Sequence, residues 1–429
     1  MAALLVIRLL TYGGALAALA NPFIGLLIYV AFSLLKPEWI WYDSIPEGNY
    51  SFIIGLAMLA SWALHGFGRW RLGAGGAVAA ALIAYWLWIA LGATLAPNQT
   101  VAWEFVAGAT KIVLPFLVGV TTIDSVAKLR QLAWVIVLSQ GAVSAALNLD
   151  YLGGFNRLVE ADFAGMDNNV TAAALVTCVG LAFFLGLGTS RWQHKAIAFA
   201  CGLLTAHVIL FSQSRGGMLA LLVTGLSSFF LLPRRGWYYV VLALAVFVLL
   251  QLSTSEARTR FLTTFADSGE RDASANNRLQ LWQDSFDAMV QNPLMGVGPA
   301  HWPLIADRYG WPPGTAAHCL WLQTGAELGV PGLALLLTFY GICAMRLLPL
   351  ARQRGDPVGD PWLRDTARMV LAALAGFVVA AQFLSISGIE APYYVALLGA
   401  GALKLSRPQE AADAESVSLP VSAAALSHS

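Results

Sequence analysis

Apolar residues fall in blocks of about 15–20 along most of the chain, with short polar segments between them. A helix of that length crosses the ~30 Å hydrocarbon layer of a bilayer. Because lipid offers the backbone no hydrogen-bond partner, the blocks are expected to be helices. The candidate spans are residues 4–20, 23–35, 51–65, 77–95, 104–121, 131–149, 170–188, 196–212, 216–232, 237–252, 319–346, 367–386 and 389–404.

The first two blocks are short and are separated only by Asn21-Pro22, so residues 1–35 cross the membrane either once or twice. The first twenty residues also resemble a signal peptide, but we interpret them as a retained span. The pattern predicts an all-α polytopic membrane protein with about 12 transmembrane helices. It also predicts one large periplasmic loop that contains amphipathic helices.

Five regions follow from this pattern. They are N-terminal transmembrane helices (1–195), transmembrane helices around the Arg215 turn (196–252), a large loop (253–318), C-terminal transmembrane helices (319–404) and a tail (405–429). The tail is rich in Ala, Ser and Glu, which predicts a disordered cytoplasmic segment.

Composition supports a membrane protein. Hydrophobic residues make up 58% of the chain and charged residues 11%, whereas soluble domains carry about 25% charged residues. The net charge of +1 points to no nucleic-acid partner. The four cysteines lie within or at the edge of apolar blocks without a C-x-x-C pair, so we interpret them as packing residues.

Lys and Arg residues alternate between loops and set the orientation, because they favour the cytoplasmic side. The loops concerned carry Arg69 and Arg71, Lys128 and Arg130, Arg191 and Lys195, Arg234 and Arg235, and Arg346, Arg352, Arg354, Arg364 and Arg368, with Lys404 and Arg407 after the last span. The long loop from about 253 to 317 then faces the other side, which is the periplasm of a Gram-negative cell.

The long loop exceeds an ordinary connection several-fold, and its pattern predicts structure rather than disorder. Apolar side chains recur at helical spacing, at Leu279, Trp282, Phe286, Met289 and Val290. With Asn276 or Asn277 as its cap and Pro293 beyond its end, a helix over about 277–291 is predicted to lie on the membrane surface.

His318 is the candidate general base. If Thr315 is an N-cap, His318 is the third residue of the next helix, near its positive end. That position would keep the imidazole neutral and able to accept a proton. The alternative is a histidine that hydrogen-bonds backbone at the membrane edge. Gly329 is predicted to end this helix and Pro331 to begin the next.

Three cations are candidate ligands for phosphate. Arg215 lies in a short turn between two apolar spans, and Arg278 begins the loop helix. Guanidinium groups bind phosphate oxygens, and the backbone amides at a helix start also bind anions. Lys111 lies inside an apolar block, where an ionisable residue indicates function. The alternatives are an interfacial anchor for Arg215, a solvated Arg278, and a Lys111 that extends to the outer edge.

Glu160, Asp162 and Asp167 raise a further alternative, a divalent metal held by an acidic loop. Clustered carboxylates are more often simply solvated, so we expect no metal and no other cofactor. No Gly-x-Ser-x-Gly, Walker loop or His-Glu-x-x-His occurs, which leaves no standard hydrolase, nucleotide or zinc motif.

Several motifs, taken in order, resemble the O-antigen ligase and polymerase superfamily. They are Ser214-Arg215-Gly216-Gly217, Asn277-Arg278-Leu279 with Trp282, Pro293-Leu294-Met295-Gly296-Val297-Gly298, and His318 followed by Glu327-Leu328-Gly329-Val330-Pro331-Gly332. The N-terminal segments Lys36-Pro37-Glu38-Trp39 and Asp167-Asn168-Asn169 resemble exosortase-associated O-glycosylation ligases. Cys319 departs from the Asn or Ser that the superfamily often has after the histidine.

The resemblance implies a metal-independent, inverting glycosyltransferase of the bacterial inner membrane with its site facing the periplasm. The implied donor is a glycan on undecaprenyl diphosphate, and the implied acceptor of a ligase is lipid A-core, giving lipopolysaccharide. By motif match His318 is the catalytic histidine and Arg215 and Arg278 hold the diphosphate, with Lys111 as a further candidate from its own position.

Three other functions remain open at this point. A polymerase would use a lipid-linked glycan as donor and acceptor, and a protein O-oligosaccharyltransferase would accept on Ser or Thr. A lipid-glycan transporter would favour charges along the spans and repeated halves. Polar residues here gather on one side of the membrane, which favours an enzyme.

Overall fold

The computed structural model describes residues 2–41, 44–46, 48–232, 235–252, 273–353, 360–385 and 389–406. Within these ranges the chain is helical, without named strands and with one isolated bridge between Phe163 and Met166. The helices are α1 (Ala2–Ala20), α2 (Pro22–Leu35), α3 (Pro37–Ile40), α4 (Tyr50–Leu64), α5 (Gly76–Leu95), α6 (Gln99–Thr122), α7 (Val126–Leu152), α8 (Arg157–Glu160), α9 (Asn168–Gly188), α10 (Trp192–Phe211), α11 (Arg215–Leu231), α12 (Gly236–Leu252), α13 (Ala273–Gln291), α14 (Trp302–Ile305), α15 (Leu320–Arg352), α16 (Pro361–Ala380) and α17 (Ala391–Leu405).

Eight of the described segments are long and apolar enough to cross a membrane. They are Pro22–Ile40, Gly73–Leu95, Gln99–Thr122, Val126–Leu152, Asn168–Gly188, Trp192–Phe211, Leu320–Arg352 and Pro361–Phe383. Shorter apolar helices occupy Leu4–Ala20, Tyr50–Leu64, Arg215–Leu231 and Gly236–Leu249. The all-α membrane architecture is therefore confirmed, while the count of about 12 spans stays a prediction.

α1 and α2 fold back on each other as a hairpin. A Cβ on Gly14 would lie 3.0 Å from Ile28, and one on Gly25 would lie 2.9 Å from Ala18 Cβ, as antiparallel helices require. Asn21 caps α2 by accepting a hydrogen bond of 2.9 Å from the Phe23 amide. The sequence left one or two passes open for residues 1–35, and the hairpin corresponds to two antiparallel helices.

Close packing of small residues joins the central helices. A Cβ on Gly180 of α9 would lie 2.9 Å from Ala372 Cβ of α16. Gly376, which is also on α16, contacts Thr224 of α11. Since lipid is as apolar as leucine, such close backbone approach supplies packing energy between membrane helices. This packing holds both α9 and α11 against α16. The first residues of α9 and α11 belong to the sequence motifs identified above.

The basic loop residues meet at one end of the bundle. Lys404 Nζ donates to Val120 O at 2.7 Å, and Arg346 donates to Ala74 O at 2.9 Å. Arg130 lies over the Trp362 ring at 5.3 Å. Arg215 lies at the other end, because it begins α11 while Arg235 follows the end of that helix. Arg234, Arg354, Arg407, loop residues 253–272 and tail residues 407–429 lie outside the described residues.

Candidate active site

His318 lies before a helix and not inside its first turn. α15 begins at Leu320 with Cys319 at its N-cap position, and His318 has the left-handed backbone angle φ +51°. The expected N-cap at Thr315 was wrong, because the helix begins only at Leu320. Thr315 instead closes the turn that starts at Pro312, since its amide and its hydroxyl both donate to Pro312 O, at 3.1 and 2.6 Å. Left-handed non-glycine residues are uncommon and often mark functional sites.

The electrostatic environment of His318 favours the neutral ring by a different route from the one predicted. Half-burial lowers the pKa of His318, and the positive charge of Arg278 lowers this pKa further. Asp167 acts in the opposite direction but does not reverse the shift. Because a lowered pKa means that less imidazolium is present at neutral pH, the ring is suited to accept a proton.

Arg278 and Arg215 belong to the same electrostatic group. Burial lowers the pKa of Arg278, the charge of Arg215 lowers it further, and Asp167 opposes both effects. The structure thus brings together His318, Arg278, Arg215 and Asp167. Three of these were candidates from the sequence. Asp167 was considered there as a possible metal ligand and as part of the Asp167-Asn168-Asn169 segment, so its place among the arginines is new.

Two helix starts lie side by side at this site. Ser214 caps α11 by accepting from the Gly217 amide at 3.1 Å, and Asp167 caps α9 by accepting from the Val170 amide at 2.8 Å. The Ser214 hydroxyl also donates to Asn169 Oδ1 at 2.9 Å. Helix N-termini present amides and a partial positive charge, which favours an anion beside Arg215 at the start of α11, whereas the Asp167 carboxylate already occupies the start of α9.

The turn after α16 holds the motif segments together. Gly216, next to Arg215, packs on Phe383, since a Cβ there would lie 2.9 Å from Phe383 Cβ. The Phe383 ring lies 6.2 Å from that of Trp282, one turn beyond Arg278 on α13. These contacts explain how segments more than 60 residues apart converge. No motif in the sequence pointed to Phe383.

Two glycine-rich motifs bind each other through backbone. The Val297 amide donates to Ala326 O at 2.8 Å, and the Val330 amide donates to Pro293 O at 2.8 Å. Gly329 breaks α15 with φ +70° and ψ −176°, which confirms the predicted interruption there. The break leaves backbone groups without helical partners, and the 293–298 segment supplies them.

Glu327 is a buried carboxylate that sequence reasoning did not single out as a side chain with its own role. It accepts from the Ala300 amide at 3.1 Å and from the Trp302 amide at 3.3 Å. Gln323 donates to the same carboxylate at 2.9 Å and accepts from the Ala317 amide at 3.2 Å. Through Gln323, the loop that follows Gly298 is connected to the residue before His318.

The loop helix α13 begins at Ala273, earlier than predicted, so neither Asn276 nor Asn277 is its cap. One side packs on the protein through buried Leu281, Ala288 and Met289. Another side leaves Leu279, Phe286 and Val290 exposed. The predicted apolar face is therefore split into a part that packs on the protein and a part that is exposed. Contact of the exposed residues with lipid stays a prediction.

Lys111 lies apart from this group in the contacts that the structure describes. The Tyr29 hydroxyl donates to the backbone carbonyl of Lys111 at 3.1 Å, and the Lys111 charge acts on Glu390 together with that of Lys36. Its side chain is exposed.

The acidic loop does not assemble a metal-ligating group. Among the described residues, no three His, Cys, Asp or Glu side chains come together in a way that could hold a metal ion. The Glu160 carboxylate instead accepts from the Asn156 amide at 2.9 Å, and Asp167 caps α9.

Comparison with known proteins places these motifs in one family segment. Residues 200–337 match the family model described as O-Antigen ligase. The segment runs from α10 into α15 and contains Arg215, Arg278 and His318. No curated protein matches the chain. The match supports the resemblance that the motifs suggested.

Proposed function

We propose that this relative of the O-antigen ligase and polymerase superfamily is an O-antigen ligase that transfers a glycan from undecaprenyl diphosphate to lipid A-core. The reaction takes place at the periplasmic face of the bacterial inner membrane, during lipopolysaccharide biosynthesis. It is metal-independent, inverts the anomeric centre, and uses no cofactor. The matched segment supports a polysaccharide ligase in general, and the choice of donor and acceptor is the proposal.

The observation that carries the proposal is the convergence of a half-buried histidine with two arginines. Arg278 acts electrostatically on His318, and Arg215 acts on Arg278. A base and a diphosphate-binding pair within one site are what glycosyl transfer from a diphosphate needs. A diphosphate is already a good leaving group, so a strong general acid is not required.

In the proposed step, the acceptor hydroxyl oxygen forms a bond to the anomeric carbon as the bond from that carbon to the diphosphate oxygen breaks. His318 takes the hydroxyl proton. The electron pair of the broken bond leaves on the diphosphate, where Arg215 and Arg278 stabilise the growing negative charge. Attack from the side opposite the leaving group inverts the configuration. His318 then releases its proton to solvent.

The test uses purified protein and a defined undecaprenyl-diphosphate glycan with three acceptors in separate reactions. Lipid A-core is expected to receive the glycan. A product from a second donor molecule alone would make the protein a polymerase, and a product on an acceptor peptide would make it a protein O-oligosaccharyltransferase. Loss of transfer with chelator and its recovery with magnesium or manganese would contradict the metal-independent mechanism. No product from any acceptor would favour transport.

A further inference from the structure

Gln323, in the first turn of α15, contacts the backbone on both sides of His318. Its side-chain oxygen accepts a hydrogen bond of 3.2 Å from the Ala317 amide, and its own backbone amide donates to Cys319 O at 2.9 Å. Ala317 directly precedes His318, and Cys319 directly follows it. One residue of α15 therefore holds both neighbours of the candidate base.

The backbone of His318 depends on such contacts, because it has a conformation that histidine disfavours. Its φ of +51° is in the left-handed region, and a non-glycine residue stays there only where its surroundings fix it. His318 lies before α15, and Cys319 at the N-cap position makes no side-chain capping bond. The two contacts of Gln323 therefore restrain the chain on either side of the strained residue.

Glu327, one turn further along α15, determines which way the side-chain amide of Gln323 points. The Gln323 nitrogen donates to the Glu327 carboxylate at 2.9 Å. A backbone N–H can only donate, and an ionised carboxylate can only accept. The amide oxygen must therefore face Ala317 while the amide nitrogen faces Glu327, and the reversed orientation would lose both bonds.

A separate segment of the chain holds the Glu327 carboxylate. The side chain is only 3% exposed, and it accepts from the Ala300 amide at 3.1 Å and the Trp302 amide at 3.3 Å. Ala300 is a second non-glycine residue with left-handed backbone, at φ +58°. Trp302 and Ala317 also lie in one buried apolar cluster. The polar pair and this cluster together connect the turn at Ala300 to the segment before His318.

We propose that Gln323 is a positioning residue for His318 and that Glu327 keeps Gln323 in the required orientation. Gln323 fixes the backbone from which the imidazole projects, and so the direction in which the ring meets the acceptor hydroxyl. A displacement of about 1 Å in a catalytic group can lower a rate about 100-fold. The effect on glycan transfer rests on the proposed function, whereas the placement of the ring does not.

Gln323→Leu removes the side-chain bonds to Ala317 and Glu327 and keeps a side chain of similar size. With the full-length protein in nanodiscs, kcat for glycan transfer should fall about 100-fold. KM for the lipid-linked donor should stay near the wild-type value, because Arg215 and Arg278 are unchanged.

Gln140→Leu is the matched control for stability. Gln140 of α7 is a buried glutamine, and its side-chain nitrogen donates to Ala174 O of α9 at 3.2 Å. The variant should lower the melting temperature as Gln323→Leu does and should keep kcat near the wild-type value. An equal loss of kcat in both variants at equal melting temperature would show a stability effect only and would overturn the positioning role.

Exchange of the two side chains tests the pair itself. Gln323→Glu places two carboxylates together without a donor between them, so transfer should fall as far as in Gln323→Leu. Addition of Glu327→Gln restores a donor, because the new amide nitrogen can donate to the carboxylate at position 323, which still accepts from the Ala317 amide. The double variant should transfer about tenfold faster than Gln323→Glu, which corresponds to one recovered hydrogen bond to a charged group. No recovery would contradict the pair, and this comparison also decides the question if Gln323→Leu does not fold.

NMR of isotope-labelled histidine follows the ring without any measurement of activity. The chain has six histidines, and the His318 signal is identified by its loss in His318→Asn. Gln323→Leu should move the His318 signal and leave that of His194 in place, since His194 packs on Trp134 elsewhere in the bundle. Gln140→Leu should leave the His318 signal where it is.

The positioning role and the proposed function can fail separately. An unchanged His318 signal in Gln323→Leu would overturn the positioning role, whether or not the wild type transfers glycan. Normal kcat in Gln323→Leu, with transfer by the wild type, would likewise exclude the role and leave the function intact. If the signal moves as expected but the wild type transfers glycan to no acceptor, the placement of the ring by Gln323 stands and the proposed function is wrong.

Discussion

The Ser214 hydroxyl donates a hydrogen bond of 2.9 Å to Asn169 Oδ1, and this bond joins the starts of α11 and α9. Ser214 also caps α11 through the Gly217 amide, and Asn168 donates to Ser212 O at 2.8 Å. Arg215 follows directly on one side of the bond and Asp167 lies two residues away on the other. The relative position of these two charges therefore depends on a few polar contacts between helix ends.

Ser214→Ala removes the cap and the interhelical bond together. We expect a loss of about 1 kcal/mol in the free energy of unfolding. Because Arg215 is then less well positioned, transfer should fall by more than stability alone explains. The measurements are thermal unfolding in detergent and the rate of glycan transfer.

Ser125→Ala is the control for this prediction. Ser125 caps α7 at the basic end by accepting from the Lys128 amide at 3.4 Å. It should lose stability without a specific loss of transfer. Equal effects of the two variants on transfer would show that the Ser214–Asn169 bond has no role in the site.

His318→Ala should reduce transfer at least about 100-fold, the usual contribution of a general base. Asn also adopts the left-handed backbone readily, so His318→Asn should keep the fold and show the same loss. Both variants should unfold at nearly the wild-type temperature. Wild-type turnover by either variant would exclude His318 as the base.

Arg215→Ala and Arg278→Ala should each slow transfer by about 100-fold, because in the proposed step each arginine stabilises charge on the leaving diphosphate. The measurement is kcat and KM for the lipid-linked donor. Arg308→Ala is a suitable control, since Arg308 is an exposed cation of the same loop. Normal kinetics in both site variants would rule out diphosphate binding by these arginines.

The acid limb of the pH profile should move in opposite directions in two variants. The pKa of His318 is lowered, so the base stays neutral below the ordinary histidine range and activity falls only as pH drops through the lowered pKa. Arg278→Gln removes a cation, which raises this pKa and moves the limb to higher pH. Asp167→Asn keeps a capping side chain but removes an anion, which lowers the pKa and moves the limb to lower pH.

The profile of kcat/KM against pH gives these shifts even where the variants are slow. An exposed carboxylate elsewhere, Glu160, provides the control as Glu160→Gln and should leave the limb in place. A shift of both limbs in the same direction would contradict the arrangement of charges around His318.

Gly329→Ala should be strongly destabilising. Gly329 has φ +70°, and a Cβ at this position would collide with the backbone carbonyl of Leu294, so the backbone would have to move. Gly314→Ala is a matched control, because Gly314 has φ +87° but open space around the missing Cβ. The backbone angle should cost both variants about 1–3 kcal/mol in the free energy of unfolding. Only Gly329→Ala should lose further stability from the collision with Leu294. Equal melting temperatures would contradict the close packing of the two motifs.

The sequence predicted the features that depend on local pattern. Apolar blocks predicted the helices, and the Gly329–Pro331 spacing predicted the break in α15. The predicted position of His318 was wrong because Thr315 closes the turn that starts at Pro312, and the helix begins only at Leu320. A threonine can end a turn or begin a helix, and the chain pattern alone does not decide between the two.

Other parts of the site depend on contacts between distant segments. Phe383 has no motif of its own, and it matters only because Gly216 and Trp282 meet it. Glu327 was recognised only as part of a family motif, since the residues that donate to it, Ala300 and Trp302, lie 27 and 25 residues earlier in the chain. Lys111 was identified as unusual, but the contact of its backbone carbonyl with Tyr29 comes from a segment 82 residues earlier in the chain.

The backbone pairing of residues 293–298 with 326–330 limits how the long loop can move. Its amides and carbonyls are shared with a membrane helix, so this stretch travels with α15 as one rigid piece. The helix α13 is held to the same piece, because the Trp311 indole donates to Asp284 at 2.8 Å and Leu281 packs in one cluster with Ala317. Arg278 and His318 therefore lie on one connected unit, so a rearrangement that admits a substrate would have to leave their relative position unchanged or break this cluster.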